Sequence, residues 1–212
     1  MSKILWKAKS QTKLNSNLYK FEKFISKKFN KKFNKKYEKI LNWTIKNPGK
    51  FWSSVWDFCQ VRGIKSNNKI KKSKKFYKNI FLPNSSLNFA QNLLVKETNT
   101  KAVTFLSENG FREERTWKNL HDSVANLQDF FSKIKVINRD RVAAYTINSI
   151  ETVEAFLATS SIGAIWSSCS PDFGVNGVIE RFKQIKPKIL FITDRYYYNG
   201  KEIDILKRVP EI

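Results

Sequence analysis

Between Phe21 and Ile45 apolar side chains return every three or four residues: Phe21, Phe24, Ile25, Phe29, Phe33, Tyr37, Ile40, Leu41, Thr44 and Ile45. That spacing puts them on one stripe of a helix. Nine lysines between Lys20 and Lys39 fill the opposite face. Asn30 and Asn34 interrupt the pattern, so two helices are expected rather than one. After the punctuation of Pro48-Gly49, Lys50 to Val61 predicts a further helix, with Phe51, Trp52, Val55, Trp56 and Cys59 on its buried side. Lys65 to Lys78 has no period and reads as a polar, lysine-rich connector.

From Lys101 the period changes. Ala102 to Leu106 is a short run with β-branched residues, Asn109-Gly110 a turn, and Phe111 to Trp117 the returning strand of a hairpin. Thr116 can cap a helix to Lys133 that turns Trp117, Leu120, Val124, Leu127 and Phe131 inward. Arg141 to Ile147 predicts a strand. Asn148 would cap the next helix, with Glu151 completing a capping box and Gly163 as its left-handed stop. Ala164 to Ser168 (strand), Val175 to Ile185 (helix) and Lys188 to Thr193 (strand) follow. Strands and helices alternating at this spacing imply a parallel sheet with right-handed crossovers. The fold class is α/β: a helical amino-terminal region, then the first strand–helix units of a parallel sheet.

Composition removes several functions. A chain of 212 residues with 41% hydrophobic residues can bury a core. Two cysteines and one histidine, His121, are too few for a disulfide framework or a Cys/His zinc site, and suit a reducing compartment. Met1 to Lys20 has no apolar signal-peptide core, and the longest apolar stretch, Val142 to Trp166, is broken by Asn148, Glu151 and Glu154. A soluble protein is expected. The net charge of +22 could attract nucleic acid or an anionic surface. Lysine is nevertheless abundant together with Asn, Ile and Phe, as an AT-rich genome would supply, so solvated lysine faces account for it and no nucleic-acid partner is expected.

None of the seven glycines stands in a phosphate-cradling arrangement, and there is no nucleophile elbow. His121 reads as a boundary side chain, and Glu113 and Glu114 as solvent-facing. No catalytic residue and no metal site can be nominated. The informative segments are two loops at the carboxyl ends of parallel strands, where such folds bind ligands. One is Ser168 to Gly174 and the other Tyr196 to Lys201. Backbone amides, an aromatic ring and a cation could hold a nucleotide or phosphate there; two ordinary turns are the plainer reading.

Residues 163–191, GAIWSSCSPDFGVNGVIERFKQIKPKILF, and 196–209, YYYNGKEIDILKRV, resemble acetoacetyl-CoA synthetases of the acyl-adenylate-forming superfamily. Upstream segments agree in order. YEKILNWTIKNPGKFWSSVWDFCQV is similar to the helical region shared with acetyl-CoA synthetases, and PNSSLNFAQNLL to the connecting segment. TWKNLHDSVANL and DRVAAYTINSIETVEAFLATSSIGAIW are similar to the first helix and the first strand–helix–strand unit.

The resemblance implies residues 1–82 as an amino-terminal helical region and 83–212 as the start of an AMP-binding domain. It implies a ligase that adenylates acetoacetate with ATP and Mg2+ and then transfers the acyl group to CoA, in the cytoplasm, with small-molecule partners and no membrane. The two loops would border the adenosine end of CoA. Ser170, Pro171 and Asp172 match positions beside the adenine. Tyr198, Asn199, Gly200 and Lys201 match an Arg-x-x-Arg stretch that holds the 3′-phosphate, where Lys201 keeps one cation and Tyr198 replaces the other. Lysine neutralises phosphate as a point charge without arginine's bidentate fork. The family's phosphate loop and catalytic lysine fall beyond Ile212, so the chain is expected to cover about the first third of such an enzyme and to be inactive and poorly soluble alone. Rival readings are a ligase for acetate or propionate, a basic nucleic-acid-binding module, and a non-catalytic CoA-binding remnant.

Overall fold

A computed structural model describes residues 5–212, which form two compact units, one ending at Leu87 and the other spanning 88–212. In the first unit, α1 (Ser10–Asn15) precedes α2 (Asn17–Phe29), α3 (Tyr37–Lys46) and α4 (Pro48–Phe58), and the last three gather around Phe21, Ile25, Phe33, Ile40 and Trp43. Phe21 meets Phe51 and Phe58 edge-on, and Trp43 meets Phe29 and Phe33. The break between α2 and α3 falls where the asparagines are: Asn30 (φ 49°) and Asn34 (φ 57°) take left-handed conformations that asparagine tolerates better than most residues.

Several local expectations need correction. Helix α4 begins at Pro48, not Lys50, because proline at the first helical position gives up an N–H that has no partner there anyway. Cys59 and Trp52 are exposed, as are Tyr37, Leu41 and Ile45 in the α3 part of the predicted stripe. The lysine-rich connector is not structureless. Strand β1 (Ile70–Lys71) pairs antiparallel with β2 (Ile80–Phe81), and a 3-10 turn at Phe76–Lys78 lies between them. Gly49 on α4 makes room for β1: a Cβ there would stand 3.0 Å from Ile70 Cγ2.

The second unit opens with α5 (Phe89–Leu93) and the hairpin β3 (Lys101–Leu106)–β4 (Arg112–Thr116). Helix α6 (Trp117–Lys133) is capped by Thr116, whose hydroxyl accepts from Asn119 N at 3.1 Å. Strand β5 (Arg141–Tyr145) is followed by α7 (Ile150–Ser161). The cap of α7 is Ser149, accepting from Thr152 N, and not Asn148, so the predicted box with Glu151 does not form. Gly163 ends that turn at φ +73°, where a Cβ would meet Asn138 Nδ2 at 2.1 Å. Strand β6 (Ile165–Cys169), α8 (Val175–Ile185) and β7 (Ile189–Ile192) complete a parallel sheet in the order β6-β5-β7.

Alternation along the strands divides two cores. Val142, Trp166, Ile189 and Phe191 face α6 and α7, whereas Ala143, Tyr145, Cys169, Leu190 and Ile192 face α8. The first crossover runs from β5 to β6 and the second runs back across β5 to β7. Crossovers of one hand in opposite directions must use opposite faces, and α7 and α8 do. Arg115 on β4 ties the hairpin to α7, donating to Glu154 at 3.0 Å and pairing with Glu113.

Candidate functional site

Because β5 hands over to α7 on one face and neighbouring β6 to α8 on the other, their carboxyl ends part and leave a crevice. In open parallel sheets this reversal of direction is where ligands sit. A cleft of about 280 Å³ lies there. Its walls are Thr146 and Asn148 after β5, Thr152 on α7, Cys169, Ser170, Pro171 and Asp172 at the end of β6, and Tyr196 and Tyr198.

The Ser168–Gly174 loop is held from beneath. Tyr145, fully buried at the end of β5, shares its hydroxyl proton between Phe173 O at 2.8 Å and Pro171 O at 3.0 Å. Arg208 Nη1 donates to the Tyr145 hydroxyl at 3.2 Å and to Pro171 O at 3.0 Å. Asp172 accepts from the Ser170 hydroxyl at 3.0 Å and from the Tyr196 hydroxyl at 2.8 Å. On the opposite wall the Thr152 hydroxyl donates to Ile147 O at 2.8 Å.

The second predicted loop is a hairpin. Strand β8 (Arg195–Tyr198) pairs with β9 (Lys201–Asp204), with Tyr198 opposite Lys201. The turn residues Asn199 and Gly200 both have positive φ (51° and 72°), as the tight two-residue turn of a right-twisted hairpin requires. Of the residues singled out in the sequence, Ser170, Pro171, Asp172 and Tyr198 share the cleft. Asn199, Gly200 and Lys201 sit at the hairpin tip and do not line it. Pro171 is buried, so its part is to shape the loop, and its carbonyl is already used. Thr146, Asn148 and Thr152 are not among the site residues singled out in the sequence, and Tyr196 is there only as the first residue of the second loop, with no role of its own. Applying the carboxyl-end rule to β5 as well finds the first two; Thr152 lies on α7 and carries no motif.

Burial pushes the Cys169 thiol upward, against a smaller opposing pull from Arg181, so it lines the cleft as a neutral thiol and not as a nucleophile. Burial, followed by the hydrogen bond to Asp172, raises the Tyr196 phenol from 10.0 to about 12. A raised value means that the folded state favours the protonated phenol. Its contribution to stability is therefore present below about pH 10 and lost as pH rises through about 12. Comparing the phenolate absorbance titrations of the wild type and Tyr196→Phe is expected to isolate this late step, and Asp172→Asn to move it toward lower pH. A step that Asp172→Asn leaves in place would mean that burial alone holds the phenol.

Comparison with known proteins gives the site its context. The chain is 40% identical over 171 residues to the acetoacetyl-coenzyme A synthetase of Rhizobium meliloti, covering 81% of this chain and 26% of that protein. It is 33% identical over 215 residues to the acetoacetyl-CoA synthetase of Danio rerio, covering 100% of this chain and 32% of that protein. A solved acetoacetyl-CoA synthetase from Streptomyces lividans superposes with a TM-score of 0.91 at 27% identity, over 99% of this chain and 33% of that one. The chain thus spans about a third or less of the length of these relatives. The family described as AMP-binding enzyme matches residues 92–211, which contain the whole parallel sheet, the crevice between β5 and β6 and the β8–β9 hairpin. With more than half of the chain matched and the sheet of a solved relative reproduced, the chain belongs to the AMP-binding enzyme family.

Proposed function

We propose that the chain supplies the helical region (residues 1–82) and the start of the adenylate-forming domain (83–212) of a cytoplasmic ATP-dependent acetoacetate–CoA ligase. Acetoacetate and ATP give acetoacetyl-adenylate and pyrophosphate, and the CoA thiol then displaces AMP. The observation that carries this reading is the 40% identity to an acetoacetyl-CoA synthetase across 81% of the chain. The cleft at the ends of β5 and β6 is assigned to the adenosine end of CoA. Ser170, Asp172 and Tyr198 offer hydroxyl, carboxylate and ring to a base, and Lys201, opposite Tyr198, offers a cation to the 3′-phosphate. Lys201 has no ion-pair partner among the described residues, so its charge is available. Groups for the ATP phosphates and Mg2+ are not assigned to this chain. Among the described residues no cluster of three His, Cys, Asp or Glu could hold a metal ion.

Calorimetric titration of the chain with CoA and with dephospho-CoA tests the site. CoA is expected to bind more tightly, and Lys201→Ala to weaken CoA by about tenfold while leaving dephospho-CoA unchanged, as the loss of one charge-assisted phosphate contact predicts. Equal affinity for the two ligands would remove Lys201 from this role. The acyl group is tested on the complete gene product: AMP release is expected with acetoacetate, and release with acetate alone would transfer the assignment to an acetyl-CoA synthetase.

A further inference from the structure

The two units divide the charge very unequally. Residues 1–87 hold 23 of the 40 basic side chains and only 3 of the 18 acidic ones, Glu22, Glu38 and Asp57. Residues 88–212 hold 17 basic and 15 acidic side chains. Of the first unit's basic residues 22 are lysines and one is Arg62, whereas the second unit has 10 lysines and 7 arginines. A supply of lysine codons would act on both units alike, so codon supply does not explain the contrast. Between Asp57 and Glu97 there is no acidic residue at all.

That stretch contains the β1–β2 hairpin. Lys69, Lys71, Lys72, Lys74, Lys75 and Lys78 are all exposed, and among the described residues none of them has an ion-pair partner. Two aromatic side chains stand among them on the 3-10 turn, Phe76 at 83% and Tyr77 at 75% exposure. An exposed phenylalanine costs hydration free energy unless something covers it. The base of the hairpin is anchored: Trp52 packs on Phe81 with ring centroids 5.9 Å apart, and Lys65 donates to Ser53 O at 3.0 Å and pairs with Asp57. The hairpin therefore presents six cations, four of them (Lys72, Lys74, Lys75 and Lys78) at the tip with the two rings, on a fixed base.

We propose that this hairpin docks the protein on an anionic phospholipid surface, with the lysines against lipid phosphates and Phe76 and Tyr77 in the headgroup–acyl boundary. Basic clusters of this size bind such surfaces electrostatically, and aromatic rings supply the apolar part. Lysine, a point charge, serves a diffuse surface potential. The bidentate arginine fork favoured for nucleic acid is almost missing from this unit. The contact is peripheral, since no helix among the described residues is long and apolar enough to cross a membrane.

Flotation of the chain with phosphatidylcholine vesicles, with and without about one-third phosphatidylserine, tests the proposal, because bound protein rises whereas aggregates sink. Binding is expected only to the anionic vesicles, declining with salt. Each lysine at such a surface is worth about fivefold in partitioning, so Lys72→Gln, Lys74→Gln and Lys75→Gln together are expected to weaken binding about 100-fold. Phe76→Ala with Tyr77→Ala is expected to weaken it roughly tenfold with the salt dependence intact. All five positions are exposed, and unchanged circular dichroism verifies the fold of each variant. Equal binding to neutral vesicles, no effect of the triple variant, or displacement of the chain from vesicles by equimolar RNA would overturn the proposal, the last in favour of nucleic acid.

Discussion

Tyr145→Ala is expected to destabilise the protein by about 4 kcal/mol, and Tyr145→Phe by only about 1–2 kcal/mol. Both are measured by urea denaturation, with the slope unchanged if only the native state is affected. Tyr145 is among the largest fully buried side chains and stands at the end of β5, the central strand, against α8. Removing the ring opens a cavity in a sheet face that strands on both sides prevent from collapsing. Removing the hydroxyl alone keeps the packing but frees the Phe173 and Pro171 carbonyls from their shared donor. Arg208 still reaches Pro171 O at 3.0 Å, so the loop is loosened and not released. The consequence belongs to the cleft: the Phe173 amide, which donates to Ser170 O at 3.1 Å, is expected to exchange faster in Tyr145→Phe. If the Phe and Ala variants lose the same stability, the ring contributes no packing and the hydroxyl network alone holds this end of the sheet.

Tyr145 also shows where the sequence was legible and where it was not. The run Arg141 to Ile147 announces a buried strand by its apolar side chains, and the α/β alternation around it follows from period alone. The loop after β6 could be proposed as a site because its position, at the carboxyl end of a parallel strand, depends only on element order. The grip on that loop could not be read. Tyr145, Arg208 and Tyr196 come from three places in the chain, and only the sheet order β6-β5-β7 brings the first near Pro171. Local ambiguity explains the other misses. Asn148 and Ser149 are both good caps, and the choice between them rests on which residue immediately precedes the helix: Ser149 does, accepting from Thr152 N. Tyr196 to Lys201 looked like a loop because three tyrosines followed by Asn-Gly carry no alternation. The Asn-Gly pair is nevertheless a strong two-residue hairpin signal, and the flanking residues pair in register. In and just after the lysine-rich segment, Ile70, Ile80 and Phe81 are the apolar residues of β1 and β2, too few to show a period.

The division of labour between the two units follows from their surfaces. The second unit balances its charges and opens a cleft at the ends of its sheet, the site proposed above for CoA. The first unit builds its core from aromatic rings and leaves its polar face almost wholly cationic. A CoA-binding role for the cleft and a surface-binding role for the hairpin rest on different residues. Neither test depends on the outcome of the other.

The second large effect is expected at Arg115. Arg115→Ala is expected to cost about 3 kcal/mol, because it strands Glu154, which is 6% exposed, without its cation. Burial works against the charge of Arg115, but its hydrogen bonds to Glu113 and Glu154 outweigh that and hold the guanidinium more firmly protonated than usual. Glu113 remains close to water and can hydrate when the arginine is gone. Glu154 cannot, and its carboxylate carries the penalty. Replacing both partners, Arg115→Met with Glu154→Met, is therefore expected to cost less than half of the single change, since the double variant buries no orphaned charge. Raising the salt concentration is expected to change the Arg115→Ala deficit little, as a buried group is poorly screened. Thermal and urea unfolding of the three proteins check this. If the double variant proves as unstable as Arg115→Ala, the arginine acts by packing the β3–β4 hairpin on α7 and not by neutralising Glu154.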